Sequence, residues 1–446
     1  MAGRKKRKKK KGHIFLVTLV LTISVGCAIM FGSWVLWGTD SQTASSIYKE
    51  EVSPPIMGET TIYAEKEEIY LSDDLDAVWK DEETSGSAAE AVQTETVQET
   101  TAGKYDYLLE DDELCREQNI FFKESASSDE VTIAFAGDIL FDDNYAVMAT
   151  TLQRGQGIAG SISGDLLKEM RSADIFMVNN EFTYTERGEP LPGKTFTFRA
   201  KPEYASWLFD MGADIVSLAN NHVYDYGEVS LLDTLDTLDG IGMPHVGAGR
   251  NLKQAIQPVY FIINDIKIAF LSSTQIERMD NPNTRGATEN SPGVFRCRYV
   301  ENLLQAVGEA EKNSDFVIVY IHWGTESTDE LDWAQKEQAP KIAEAGADLI
   351  IGDHPHVLQP VGYCGDVPVV YSLGNFLFNS KAMDTCLVKA VLDENGLKRL
   401  QFVPARQENC SVTMNYGAEK ERVLSYMRSI SPEVNIDEEG FITRVP

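Results

Sequence analysis

From residue 131 onward, short apolar runs rich in β-branched residues alternate with longer segments whose apolar residues recur at helical spacing. The short runs are typical of buried strands, and the longer segments of amphipathic helices. Predicted strands lie at 131–137, 174–179, 214–219, 316–321 and 348–352, and predicted helices at 202–211, 228–238, 300–312 and 334–345. Regular alternation of this kind predicts an α/β fold.

Two further pairs of β-runs indicate a second, partly antiparallel sheet. They lie at 259–263 with 267–272, and at 367–373 with 387–392. The pattern predicts one folded domain over 129–405, followed by a peripheral C-terminal tail over 406–446.

The N-terminal pattern is different, because residues 14–37 carry no charge. As a helix they would extend about 36 Å, which is enough to cross a bilayer. Residues 1–13 contain a basic run at 4–11, and the positive-inside rule places them in the cytoplasm. A cleaved signal peptide or a lipid anchor at Cys27 fits less well, since the apolar stretch is long and continues past Cys27. We therefore expect a single-pass membrane protein whose C-terminal domain is extracellular.

Between the predicted membrane helix and the domain, residues 38–128 are rich in Glu, Asp, Thr, Ser and Ala. A segment with so few apolar residues cannot bury enough surface to fold alone, so it predicts an acidic disordered stalk. Short runs at 69–79 and 105–122 are candidates for transient helices or for docking on the domain. The whole chain carries a net charge of −29. Because the basic run is explained by membrane topology, we expect no nucleic-acid partner.

Polar side chains that can bind a metal gather where the predicted strands end, which is where α/β sheets place their sites. Taken singly, each has an ordinary explanation, such as a turn residue or a core histidine. Taken together, they predict a metal or acid/base centre. The candidates are Asp138, Glu181, Asn221, His222, His322, His354 and His356.

Imidazole, carboxylate and amide ligands favour Zn, Mn or Fe over Ca or Mg. A divalent cation in such a site can activate water, while a histidine outside the ligand set moves protons. His222 suits that second role, because Asp225 follows at a spacing that lets a carboxylate orient the imidazole. Asp225 is equally compatible with a simple turn residue.

Six sequence blocks in this region share a recognisable pattern. The blocks are A-G-D-I-L at 136–140, V-N-N-E at 178–181, S-L-A-N-N-H-V-Y-D-Y-G at 217–227, I-H-W-G at 321–324, G-D-H-P-H at 352–356 and Y-S-L-G-N-F-L-F at 371–378. Together they resemble the CapA family of poly-γ-glutamate capsule synthesis proteins, and the resemblance extends from about residue 131 to 404.

That family resembles the calcineurin-like metallophosphatases, which implies a four-layered α/β/β/α sandwich and a two-metal centre. The resemblance makes His222 the general acid. It also implies a set of metal ligands, namely Asp138, Glu181, Asn221, His322, His354 and His356. The first block departs from the phosphatase pattern Asp-x-His, since Ile139 and Leu140 follow Asp138. One tight metal, or two of unequal affinity, is therefore expected.

Three functions are compatible with these features. The first is metal-dependent hydrolysis or transfer on poly-γ-glutamate or a related envelope polymer. The second is a non-catalytic polymer-binding or export subunit of a membrane complex, and the third is an extracellular metallophosphoesterase. An anionic polymer needs a local cationic contact on so acidic a protein. Arg199 is the candidate, and other polymer-synthesis membrane proteins are candidate partners.

Overall fold

The computed structural model describes residues 103–276 and 284–445. The predicted cytoplasmic tail, membrane helix 14–37 and most of the predicted stalk lie outside these residues. No helix within the described ranges is both long enough and apolar enough to cross a bilayer.

The described residues form helices and strands in the alternating order that the sequence predicts. The α-helices are α1 Asp112–Glu117, α2 Ala146–Arg154, α3 Gly164–Ser172, α4 Trp207–Met211, α5 Glu228–Ile241, α6 Leu252–Ile256, α7 Glu301–Lys312, α8 Trp333–Glu344 and α9 Gly417–Ile430. Short 3-10 helices lie at Asp106–Leu108, Gly157–Gly160 and Pro202–Ser206.

The strands are mostly short. They are β1 Ile120–Phe122, β2 Val131–Ile139, β3 Ile175–Asn180, β4 Thr183–Tyr184, β5 Arg199–Ala200, β6 Ile215–Ser217, β7 His245–Val246, β8 Ala248–Gly249, β9 Val259–Ile263, β10 Ile266–Thr274, β11 Gly293–Val294, β12 Phe316–His322, β13 Leu349–Asp353, β14 Val361–Cys364, β15 Val367–Val370, β16 Asn375–Leu377, β17 Met383–Asp393, β18 Gly396–Glu408, β19 Ser411–Met414, β20 Val434–Ile436 and β21 Phe441–Arg444.

Two large mixed sheets organise these strands. The seven-stranded sheet has the order β1-β9-β10-β12-β13-β15-β14. The ten-stranded sheet has the order β20-β21-β18-β17-β2-β3-β6-β7, with β16 paired to β2 and β19 paired to β18. Two small two-stranded sheets, β8 with β11 and β4 with β5, complete the pairing.

The two large sheets pack face to face through one apolar core. Ile133 and Phe135 of β2 share this core with Phe270 of β10, Ile318 of β12 and Ile351 of β13. Successive side chains of a strand point to opposite faces, so the residues between them face outward. The helices cover those outer faces.

On the ten-stranded sheet, Ala134 and Ala136 pack with Leu166 of α3 and Leu231 of α5. On the seven-stranded sheet, residues such as Val317 pack with helices α7 and α8. The layers are therefore helix, sheet, sheet and helix, and both sheets are buried on two faces. This burial explains why the strands read as continuous apolar runs rather than as alternating ones.

The parallel strands bring their carboxyl ends to one edge of each sheet. In the ten-stranded sheet, Asp138 of β2 lies beside Asn179 of β3. In the seven-stranded sheet, His322 of β12 lies between Thr274 of β10 and Asp353 of β13. These strand ends carry the polar residues that the sequence singles out.

The domain extends beyond both of its predicted boundaries. Before residue 129, strand β1 pairs in parallel with β9, so the run at 105–122 docks on the domain and is not part of a disordered stalk. After residue 405, β18 continues to Glu408, β21 pairs with it, and Met427 of α9 enters the core between the sheets. The C-terminal segment is therefore part of the fold rather than a peripheral tail.

Candidate metal centre

Glu181, directly after β3, occupies the middle of a buried polar cluster. Its side chain is fully buried, and neither carboxylate oxygen accepts a hydrogen bond from any residue that the structure describes. A buried carboxylate without partners is costly unless a cation neutralises it. Asp138 and Asp353, also fully buried, add two more acidic groups to the same cluster.

His322, at the end of β12, faces Glu181 from the other sheet. Its Nδ1 lies 2.7 Å from Asp353 Oδ1, which fixes the orientation of the ring. Its Nε2 lies 3.6 Å from Glu181 Oε1 and 2.8 Å from Asn221 Oδ1. His354 Nδ1 lies 3.0 Å from the same Nε2. Two imidazoles, an amide oxygen and a carboxylate therefore converge on one point.

His356 completes a second convergence around Asp138. Its Nδ1 lies 3.1 Å from Asp138 Oδ2 and 2.8 Å from Asn375 Oδ1. Asn375 reaches this place because β16 pairs with β2, opposite Asp138. That close pairing requires a glycine before Asp138, since a Cβ on Gly137 would lie 1.9 Å from the Gly374 carbonyl oxygen.

The segment that carries His354 and His356 has an unusual backbone. His354 has φ 92° and His356 has φ 60°, in the left-handed region that residues other than glycine rarely adopt. Strain of this kind costs about 1–3 kcal/mol per residue and is characteristic of functional sites. Here it turns both imidazoles toward the acidic cluster.

Among the described residues, the ligand atoms form four overlapping groups, each within 4.8 Å, and two of these groups contain Glu181. The inner position comprises Glu181, His322 and His354, all buried. The outer position comprises Asp138, Glu181 and His356, of which His356 is partly exposed. Glu181 belongs to both positions, so its carboxylate can act as a ligand that the two positions share.

Burial and neighbouring charges shift the pKa values of the cluster in both directions. Burial lowers the pKa of His322 to about 3, and it lowers the pKa of His354 well below the usual value. Both imidazoles are therefore neutral and can offer lone pairs to a metal. Burial raises the pKa of Asp138, but its hydrogen bond with His356 and the nearby imidazoles bring it to about 2. Burial raises the pKa of Glu181 well above normal, and the charge of Asp138 raises it further.

His222 lies beside the inner position. Its Nδ1 lies 2.7 Å from Asp225 Oδ2, and its Nε2 lies 3.8 Å from Glu181 Oε1. The Phe198 ring packs on the imidazole with ring centroids 4.3 Å apart, and the Phe198 N–H donates to Asp225 Oδ2 at 2.6 Å. Lys194 donates to the other Asp225 oxygen and to the Asn221 carbonyl. The predicted histidine–carboxylate pair is therefore present and held in place.

Several residues of the cluster were not predicted from the sequence. Asp353 lies within the G-D-H-P-H block and Asn375 within Y-S-L-G-N-F-L-F, so both residues could have been found from sequence blocks that the family resemblance singles out. Asn179 donates to Asp138 at 2.8 Å, and Asn220 donates to Asn179 at 3.0 Å, although asparagine is common in turns and gives no such signal alone. Lys194 is one of the basic residues in the loop after Glu181, but the sequence gave no signal for its contact with Asp225, because a loop lysine is ordinarily solvated.

Arg199 occupies a different environment from the metal-binding candidates. Its guanidinium lies over the Tyr226 ring, 4.6 Å from the centroid, and its backbone N–H donates to Asp142 at 2.9 Å. The substrate-contact role of Arg199 stays a prediction, as do the individual ligand roles in the cluster.

Comparisons with known proteins agree with the sequence blocks. Residues 132–380 match the family model "Bacterial capsule synthesis protein PGA_cap". The chain is 32% identical over 284 residues to "PGA biosynthesis protein CapA" of Bacillus subtilis, covering 62% of this chain and 72% of that protein. It is also 32% identical over 240 residues to "Capsule biosynthesis protein CapA" of Bacillus anthracis, covering 52% of this chain and 57% of that protein.

One similar solved structure is the 5'-nucleotidase from Candida albicans SC5314. The sequence identity is 10% and the TM-score is 0.34, over 62% of this chain and 54% of that chain.

Proposed function

Because the chain belongs to the PGA_cap family of bacterial capsule synthesis proteins, we propose that it cleaves or transfers γ-glutamyl amide bonds of poly-γ-glutamate or a related cell-envelope polymer. The proposed reaction depends on a divalent cation. The relatives' names support the polymer class, and the buried cluster supports the chemistry.

One observation carries the proposal. Both Glu181 carboxylate oxygens lack a hydrogen-bond partner among the described residues, and neutral imidazoles lie next to them. Glu181, Asn221, His322 and His354 would hold a cation at the inner position, and Asp138, Glu181 and His356 a second at the outer position. The mixed nitrogen and oxygen donors suit Zn, Mn or Fe. A bound cation would supply Lewis-acid polarisation of the scissile carbonyl.

His222 would manage the proton in this reaction. Burial lowers its pKa while the Asp225 charge opposes that shift, and the Asp225 carboxylate accepts from Nδ1–H. Nε2 is then left to take a proton from the attacking water and give it to the leaving nitrogen. In hydrolysis, the C–N bond of the amide breaks, a C–O bond forms, and the products are a carboxylate and an amine.

The N-terminal sequence supports a proposal for where this activity takes place. We propose that residues 14–37 anchor the chain in the cell membrane, with the domain on the outer side. The anchor is tested by fractionating cells that produce either the full chain or a variant that lacks residues 14–37. The full chain should sediment with membranes and the deletion variant should not; equal distribution of both would contradict the anchor.

The proposed activity is tested with the purified full chain reconstituted with Zn, Mn or Fe. Incubation with poly-γ-glutamate should shorten the polymer and release new amino groups. His222→Ala should abolish cleavage while the bound metal is retained. His245→Ala is the matched control, because His245 lies outside the cluster and contacts Asp239 at 3.0 Å.

Other results would select another function. If a column that carries the protein retains the polymer without cleaving it, the result would contradict an enzymatic function and favour a binding or export subunit. Release of phosphate from aryl phosphates, with poly-γ-glutamate left intact, would favour the phosphoesterase.

A further inference from the structure

We propose that Glu326 is an additional metal ligand, which joins His354 and His356 from the loop that follows β12. This inference rests on the proposed function, because it assumes a cation at the centre. It assigns a role to a residue outside the ligand set that the family resemblance implies.

The first observation is the placement of the Glu326 carboxylate. Glu326, His354 and His356 offer ligand atoms that all lie within 4.8 Å of one another. Glu326 is exposed, whereas His354 is buried and His356 is partly exposed. A carboxylate beside two imidazoles adds an oxygen donor to two nitrogen donors, and such a mixed set suits Zn, Mn or Fe.

The second observation is the backbone that presents this carboxylate. Gly324 has φ 91° and Ser327 has φ 61°, so two left-handed residues flank Glu326. The Ser327 N–H donates to the Pro355 carbonyl at 2.9 Å, between His354 and His356 in the sequence. The loop is therefore attached directly to the segment that carries both imidazoles.

A further bond strengthens this attachment. The Gln359 side-chain amide donates to the Thr328 carbonyl at 3.0 Å. Since Gln359 also accepts from Gln335 of α8 at 2.6 Å, the loop is tied to a helix of the outer layer. Glu326 thus occupies a defined position next to the centre.

The third observation concerns the ligand count of the outer position. Asp138, Glu181 and His356 supply three residues, and a metal site with three protein ligands keeps an open position for a further ligand. The residues after Asp138 cannot add one, because Ile139 and Leu140 are apolar and packed in the core. Glu326 shares the ligand His356 with this position, because its carboxylate lies with His354 and His356.

Within the described residues, the Glu326 side chain forms no hydrogen bond or ion pair. The carboxylate is therefore available to coordinate a cation without first breaking another interaction.

The experiment is calorimetric titration of Mn²⁺ into the full chain, for wild type and Glu326→Gln, after removal of bound metal. Wild type should bind in two steps of unequal affinity. Glu326→Gln should weaken the second step by about tenfold or more and leave the first unchanged, in line with the usual effect of losing a group around a metal. The Mn²⁺ electron paramagnetic resonance spectrum should show the corresponding loss of the second bound ion.

Glu330→Gln is the matched control. Glu330 is exposed on the same loop, and the same change of charge there should leave both steps unchanged. Equal affinities in wild type and Glu326→Gln, or equal losses in the two variants, would overturn the role of Glu326 while leaving the proposed centre intact. Absence of any binding by wild type would instead overturn the proposed metal-dependent function.

Discussion

Lys194 is an unusual residue in this fold, because its ammonium group is placed next to the candidate centre with only 9% of the side chain exposed. It contacts Asp225, whose side chain is fully buried and whose other oxygen binds His222. Burial lowers the pKa of Lys194, while the charge of Asp225 opposes this shift. The pair therefore links the loop between β4 and β5 to His222, the proposed proton-transfer residue.

Removing the lysine should leave a buried carboxylate without its cation. We expect Lys194→Met to lower the free energy of unfolding by about 3–5 kcal/mol, the usual cost of breaking a buried ion pair from one side. Urea denaturation followed by circular dichroism measures this.

The double variant Lys194→Met/Asp225→Asn provides the control. Since the double variant removes both charges, its loss in free energy of unfolding should be smaller than the sum of the losses of Lys194→Met and Asp225→Asn. Strict additivity of the single effects would show that the two charges do not interact.

At this scale, the sequence predicted the residues that end strands. Asp138, Glu181, Asn221 and His322 gather because parallel strands bring their carboxyl ends to one edge of a sheet. Lys194 and Asn179 could not be predicted, because their partners depend on how a loop folds back and which side of a strand faces the cluster.

Helix α9 shows how an element near the C-terminus contributes to the main core. Met427 is fully buried and lies in the core between the two sheets. Met427→Ala should lower the free energy of unfolding by about 2–5 kcal/mol, as expected for a large-to-small change in a core. Thermal or urea denaturation of the purified chain checks this.

The control on the same helix is Ser429→Ala, because Ser429 is exposed and should change stability by less than about 0.5 kcal/mol. A Met427→Ala variant as stable as Ser429→Ala would indicate that α9 does not support the core.

Asp384 of β17 joins this helix to the ten-stranded sheet. It accepts from Arg422 of α9 at 2.6 and 2.8 Å and from Arg406 of β18 at 3.1 Å. Burial raises the pKa of Asp384, but the hydrogen bonds and charge of Arg422, with help from Arg406, bring it below the usual value of 3.8. The ionised form is therefore favoured more in the folded state than in the unfolded state.

The sign of the pH effect follows from that lowered pKa. Stability from the Asp384 charge is fully present above the pKa of the unfolded chain, and it is lost as the pH falls through the lower folded pKa. Wild type should therefore be more stable than Asp384→Asn at neutral pH, and the difference should shrink below about pH 4. Urea denaturation at several pH values measures it, and a difference that grows as the pH falls would contradict the assignment.

At the scale of elements, the alternating strands and helices were predictable because buried parallel strands leave continuous apolar runs. The C-terminal segment was not, since β19, β20 and β21 each have no more than four residues. Such short strands carry little periodic signal, and their pairing depends on β18. The run at 105–122 was ambiguous for the same reason, because β1 has three residues and depends on β9.

At the scale of the whole molecule, the charge distribution restricts how the protein can meet its proposed substrate. The net charge of −29 repels a polyanion, although salt screens this repulsion beyond about 8 Å under physiological conditions. Binding of an acidic polymer therefore requires local positive charge, and cations at the two positions would supply it. In the proposed function, bound cations would therefore serve both substrate binding and chemistry.

The most direct test of this account is the metal content of the full chain after reconstitution and removal of free ions. Wild type and His222→Ala should hold Zn, Mn or Fe, while His322→Ala and Asn221→Ala should lose most of it, because only the latter two change the ligand set. Circular dichroism would verify that each variant is folded. Wild-type protein that holds no divalent metal, or a His222→Ala variant that loses it as fully as His322→Ala, would contradict the account.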